Sequence, residues 1–261
     1  MTGAFDMPEE QPISYDECVV LKSMQYHESD RIVTIFSKTY GKTNILARGA
    51  CKPNSKLSGF TDSLSILQYV PKTTRTFTLM TQPRIISPLF HIKEIMGKSF
   101  FQAFSICELV LRAAEQDTPM PLIYEALKNT LIVMDLLESS DGFASEKIVL
   151  KFKLFFLHRL GFDINHDHCS GCGKKMDPAL FLYDSDRGAS VCSRCAIGRP
   201  NLYEMSKIIK TLLYFSETSD LKQIIDSEYT QYEISQASSI VRHHIRANLH
   251  ISLASESMQR Q

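Results

Sequence analysis

Neither charge is in surplus: 29 Lys and Arg stand against 29 Asp and Glu over 261 residues. No uncharged apolar run approaches the roughly 18 residues of a membrane-spanning helix, so no membrane partner is expected. Residues 1–12 hold neither a basic start nor an apolar stretch. They are polar and acidic (Asp6, Glu9, Glu10) with two prolines. They read as a disordered tail rather than a signal peptide, which puts the chain in a reducing cytoplasm. The motifs G-x-x-x-x-G-K-[ST], G-x-G-x-x-G and G-x-S-x-G are absent, as is the ligase-type K-x-D-G. His158 lies on an apolar helical stretch, and Asp184 and Asp186 read as a loop pair that only solvates its turn. No nucleophile–base set stands out, so no catalytic residue and no enzyme activity are expected.

The composition is that of a soluble globular chain, with 44% hydrophobic and 22% charged residues. At this length folding should bury roughly 70–75% of the unfolded surface. The zero net charge averages unequal parts. Residues 13–84 carry ten basic and five acidic side chains, a local net of +5. A basic block inside a neutral chain points to a polyanion partner for that block.

That block reads as strands. Residues 15–22, 30–37, 43–48, 64–70 and 76–81 are short, apolar or alternating, and separated by turn residues such as Gly41 and the loop 49–59. Five strands in about 70 residues predict a small closed barrel of the oligonucleotide-binding (OB) type. An SH3-like barrel would have the same strand count. Lys38, Lys42, Arg48, Lys52 and Lys56 are expected to cluster on two adjacent loops and meet phosphates. Tyr40, Tyr69 and Phe77 are the candidate base-stacking aromatics.

After Pro88 the apolar period changes from two to between three and four. One helix is expected over 91–115, and a second, capped by Thr118, carrying Leu122 to Leu137. Residues 139–142 read as a turn. A third helix over 145–160 ends at Gly161, and further helices are expected in 204–215 and 231–250. The predicted fold class is α+β. An OB barrel spans 13–90, and an all-helical domain spans 91–162 and 200–254. A four-cysteine zinc ribbon-like module is inserted at 163–199, and a disordered tail follows over 255–261.

The inserted module rests on Cys169, Cys172, Cys192 and Cys195, two C-x2-C pairs with nineteen residues between them. Each pair holds two thiolates on one side of a tight knuckle, and two knuckles close a tetrahedron around one structural Zn²⁺. Gly173 permits the turn, and nearby Lys and Arg194 offset the thiolate charge. A redox site would need one such pair rather than two. A deaminase site would need H-x-E upstream, where the chain has Asn165, His166, Asp167 and His168. His166 and His168 are reserve ligands.

Several blocks together resemble one family. They are residues 26–37 (YHESDRIVTIFS), Gly41, residues 47–50 (ARGA), Lys52 and residues 55–56 (SK). The stretch 160–162 (LGF), with the two cysteine pairs after it, is similar too. The family is RecO, bacterial recombination mediators of DNA repair. The resemblance spans roughly residues 14–250. It implies an N-terminal OB fold, a helical domain and a zinc module. It also implies a protein that binds single- and double-stranded DNA, anneals strands and associates with the nucleoid. The partners implied are RecR, the acidic C-terminal tail of single-stranded DNA-binding protein and, indirectly, the recombinase RecA. Arg31, Arg48, Lys52 and Lys56 match basic family positions and would contact phosphate. Asp30 and Glu28 would orient Arg31 or shape its turn. Cys51 departs from the usual Arg or Lys, and Arg187-Gly188 from the usual Gly-Gly. The alternative is a protein–protein adaptor with little direct DNA contact.

Overall fold

The computed structural model describes residues 14–95, 98–137, 142–164, 167–176, 181–205, 207–218 and 220–255. The expected tail at 1–12, most of the turn at 139–142 and His166 lie outside these residues.

Five strands form the first unit: β1 (Asp16–Tyr26), β2 (Asp30–Ser37), β3 (Gly41–Ala47), β4 (Ile66–Thr73) and β5 (Thr78–Ser87). They close a barrel in the order β1-β2-β3-β5-β4, with β4 returning to β1. Neighbours are antiparallel except β3 and β5, which run parallel and pair only at Ile45–Thr78 and Leu46–Leu79. This is the OB-type arrangement. Period-two alternation sends Cys18, Val20, Val33, Ile35, Ile45, Ala47, Leu67, Tyr69 and Met80 to the barrel interior. The opposite faces of the same strands are not all solvated. Val19, Leu21, Phe36, Leu64 and Ile66 pack into the core of the helical region. Residues 18–21 (CVVL) are therefore buried on both faces, which is why that stretch is continuously apolar.

The helices are α1 (Phe90–Ile95), α2 (Lys98–Ala113), α3 (Pro121–Leu136) and α4 (Gly142–Arg159). Helices α1 and α2 cover most of the single helix expected over 91–115, and residues 96 and 97 between them lie outside the described residues. Thr118 does not cap α3: the N-cap is Met120, Pro121 opens the first turn, and Thr118 Oγ1 donates to the Gln116 carbonyl. Pro119 disfavours helical backbone at Thr118, whereas Pro121 fits a first turn where no amide bond is needed. Helix α4 ends as expected. Gly161 takes φ +78°, its amide donates to His158 O at 3.0 Å, and Phe162 N donates to Leu157 O at 2.9 Å. Helix α4 is enclosed by α2, α3 and the later helices, so it is apolar on nearly every side.

The insert holds β6 (Phe181–Asp184), β7 (Ala189–Val191), the short α5 (Ser193–Ala196) and β8 (Leu202–Met205). Its sheet order is β7-β6-β8. The sheet runs past residue 199, and Glu204, expected in a helix, lies in β8. Helices α6 (Lys207–Thr218), α7 (Leu221–Ile225) and α8 (Gln231–Leu249) complete the chain. A capping box of Thr230 and Glu233 starts α8. Ser255, expected in a loose tail, is buried, and its hydroxyl donates to Glu108 Oε2 at 2.7 Å. Among the described residues no helix is long and apolar enough to cross a membrane.

Candidate nucleic-acid interface and metal centre

The sulfurs of Cys169, Cys172, Cys192 and Cys195 all lie within 4.8 Å of one another. The first knuckle turns at Gly173, at φ +69°, whose amide donates to Cys169 O at 2.8 Å. The second pair straddles the start of α5. The Cys192 and Gly171 amides point at Cys169 Sγ, at 3.3 and 3.4 Å. Burial opposes the Cys169 thiolate, but these amides outweigh it and bring its pKa down to about 6. Cys195, crowded by the sulfurs of Cys192, Cys172 and Cys169, is pushed up to about 12. A cation is what would let all four ionise together. The donor set fits a closed, four-sulfur metal site with no open position. His168 stands outside this group.

The cations do not gather as expected. Ser37 pairs with Gly41 at one end of the β2–β3 ladder and Arg31 with Ala47 at the other. Strand β3, seven residues long, therefore separates two groups by about 20 Å. At one end Lys38 pairs with Glu125 of α3 at 2.9 Å, and Lys42 Nζ donates to Leu111 O at the end of α2 at 3.0 Å. Burial lowers the Lys42 pKa. These two lysines dock the barrel on the helices, together with Lys128–Glu17 at 3.0 Å. At the other end Arg48, Lys52 and Lys56 are exposed and make no ion pair among the described residues. Arg31 stands at this same end, opposite Ala47, and is half-buried. It donates to Thr61 Oγ1 at 2.9 Å and faces Asp62 at 3.5 Å.

Asp30 does not hold Arg31. Its Oδ1 accepts from the Gly49 amide at 2.8 Å and from Ser29 Oγ at 3.0 Å, so it shapes the turn after β3. Of the aromatics, Tyr69 is fully buried and offers no stacking face, whereas Tyr40 is 46% exposed. Phe77 meets Tyr26 edge to face at 5.9 Å, joining the ends of β1 and β5. Tyr26 lay outside the strands expected at 15–22 and 30–37 and entered the sequence reading only as the first residue of the block 26–37.

Residues 13–89 match the family model described as recombination protein O N terminal, and residues 99–257 match recombination protein O C terminal. The chain belongs to the RecO family. The DNA repair protein RecO of Bacillus subtilis is 27% identical over 232 residues, covering 83% of this chain and 88% of that one. That of Syntrophomonas wolfei is 29% identical over 217 residues, covering 83% and 84%.

The two departures from the RecO pattern have structural readings. Cys51 turns inward: its amide donates to Ser29 O at 2.9 Å and its sulfur lies 3.5 Å from Asp30 O. Gly188 sits at φ +61° against α8, where a Cβ would come within 2.2 Å of Asn248 Nδ2. The sequence reading missed Asp184, which does not merely solvate a loop. It is buried, accepts Arg199 Nη1 at 2.6 Å, and takes the Asp186 and Arg187 amides at 3.1 and 3.2 Å. His158 is exposed and faces Asp163 at 2.8 Å.

Proposed function

We propose that this RecO-family chain is a nonenzymatic mediator that binds and anneals single-stranded DNA and helps load recombinase on strands coated by single-stranded DNA-binding protein. The observation that carries the reading is the exposed group Arg48, Lys52 and Lys56 on an OB-type barrel in a chain matched at both ends to RecO. Arg31, flanked by Thr61 and Asp62, is the fourth phosphate contact of that end. Lys38 and Lys42 serve the barrel–helix junction instead. Each phosphate neutralised releases counterions, so two strands can approach once their mutual repulsion is screened. No nucleotide hydrolysis enters this scheme.

One Zn²⁺ held by Cys169, Cys172, Cys192 and Cys195 would keep the insert folded. For the acidic tail of single-stranded DNA-binding protein, the proposed seat is a groove of about 380 Å³ on the helical region, lined by one cation, Arg112, and one carboxylate, Glu115. Met120, Leu160, Phe162 and Leu249 supply its apolar wall and Arg112 a cation. Beyond Met120 the surface continues past Leu122 to the exposed Arg159. RecR as partner and a cytoplasmic, nucleoid-associated location follow from the family reading. The test is annealing of complementary strands without ATP at low salt. Failure both to anneal and to bind DNA would refute the mediator.

A further inference from the structure

The groove on the helical region draws two of its walls from parts of the chain far apart in sequence. One is the turn that ends α4, where Phe162 presents a ring 37% exposed. The other is the end of α8, where Leu249 and, just beyond it, Ile251 line the groove. His244 joins the two. Its Nε2 donates to the Phe162 carbonyl at 2.9 Å, while the Phe162 amide donates to Leu157 O at 2.9 Å. Both backbone polar groups of Phe162 are therefore taken, one by each helix, which fixes the backbone that carries its ring.

His244 is buried, and its other nitrogen faces the cysteine insert. The Tyr183 hydroxyl of β6 lies 3.0 Å from Nδ1, and Asn248 Nδ2 is a longer neighbour at 3.3 Å. A carbonyl can only accept, so the ring proton sits on Nε2. Burial holds the His244 pKa below its usual value, so at neutral pH Nδ1 is bare and accepts from Tyr183. One turn further on, Asn248 Nδ2 donates to Gly188 O and to His244 O, each at 3.1 Å. Gly188 is pressed onto this face of α8, where a Cβ would come within 2.7 Å of Ala247 Cβ. None of the groove's lining residues belongs to the insert. The insert nonetheless grips both walls, Phe162 through His244 and Leu249 through its neighbour Asn248.

We propose that His244 is a positioning residue of this groove, and that the chain of bonds from Tyr183 through His244 to Phe162 lets the insert set how tightly the groove holds an acidic peptide with an apolar end, a role that rests on the reading of the groove as the seat of that tail. Phe162 offers the face on which the apolar end packs. His244 touches no peptide atom. Loss of either of its links frees the wall, so a peptide must order that wall as it binds, and affinity falls.

The experiment measures binding of an acidic peptide with an apolar C-terminal residue to the full chain at neutral pH, by fluorescence anisotropy, beside backbone hydrogen exchange and a melting curve. In the unaltered chain the peptide should slow exchange at residues 160–162 and 249–251. Tyr183→Phe removes one oxygen and should weaken the peptide roughly fivefold, the effect of one hydrogen bond. Two amide replacements of His244 part its links. A Gln nitrogen reaches the place of Nε2 and keeps the Phe162 bond, whereas Asn stops at the place of Nδ1 and loses it. His244→Asn should therefore weaken the peptide more than His244→Gln, with DNA binding at the barrel unchanged in all three variants. An equal loss in the two histidine variants overturns the Phe162 link. Variants that melt lower yet hold the peptide as tightly as the unaltered chain overturn the positioning role and leave the groove in place. Should the histidine variants not fold, Tyr183→Phe decides alone. Peptide binding by the unaltered chain with no slowing at 160–162 and 249–251, or no binding at all, overturns the groove and the positioning role together.

Discussion

Asp30 and Gly49 are joined at 2.8 Å, carboxylate to amide, across the end of the β2–β3 ladder. The bond lets Gly49 hold φ +69° and turns the chain so that Arg48 and Lys52 leave the barrel at the same end. The Gly49 amide is also the main reason the Asp30 pKa is lowered.

Asp30→Ala should therefore cost about 1 kcal/mol and lower the melting temperature by about 2–4 °C, with a weaker grip on DNA as the loop loosens. The folded-state pKa lies below the unfolded value of about 3.9, so the contribution is full above that pH. It fades as pH falls through the lowered folded value. A melting series from pH 7 to pH 3 checks this: the gap between the two proteins should close at the acid end.

Charge reversal distinguishes the two ends of the barrel. Reversing Arg48, Lys52 and Lys56 together should weaken single-strand binding and reduce the salt slope by about 2, at about 0.7 per phosphate contact. Lys38→Glu should leave that slope alone and lower stability, because it sets a carboxylate against Glu125. An adaptor with little DNA contact would show no binding defect in the triple variant.

Cys192→Ser should reduce bound zinc below one per chain and lower the melting temperature, and a strong chelator should act on the unaltered protein in the same way. Metal analysis beside a melting curve reads both. An unchanged zinc content would refute the four-sulfur site.

Asp184→Ala leaves Arg199 without its buried partner and strips two amides of their acceptor. Breaking such a pair costs about 3–5 kcal/mol. The loss should appear as protease sensitivity confined to the insert, with single-strand affinity at the barrel kept.

Arg159→Glu should abolish binding of an acidic peptide ending in an apolar residue, read by fluorescence anisotropy, and spare DNA binding. Retained peptide binding would place the tail elsewhere.

Much of this was legible from residues alone. The cysteine spacing, residues 30–37 (DRIVTIFS) and the Gly161 terminator each depend on local rules, and each stands where local rules put it. What escaped depended on partners distant in sequence. Lys38 and Lys42 look like Arg48 and Lys52 in a linear reading. Only the arrival of Glu125 and Leu111 from the helices diverts the first pair to a structural role. Tyr69 and Tyr40 read alike as aromatics in a barrel, yet one faces inward because its register places it opposite Asp16. Asp184 resembled a solvated turn residue until Arg199 returned to it.

Val19, Leu21, Phe36, Leu64 and Ile66 are covered by helices that arrive later in the chain. A polypeptide cut after residue 90 would carry those five side chains bare on its outside. Such a fragment would be prone to clump, and the ribosome must release well beyond that point before the first half can settle.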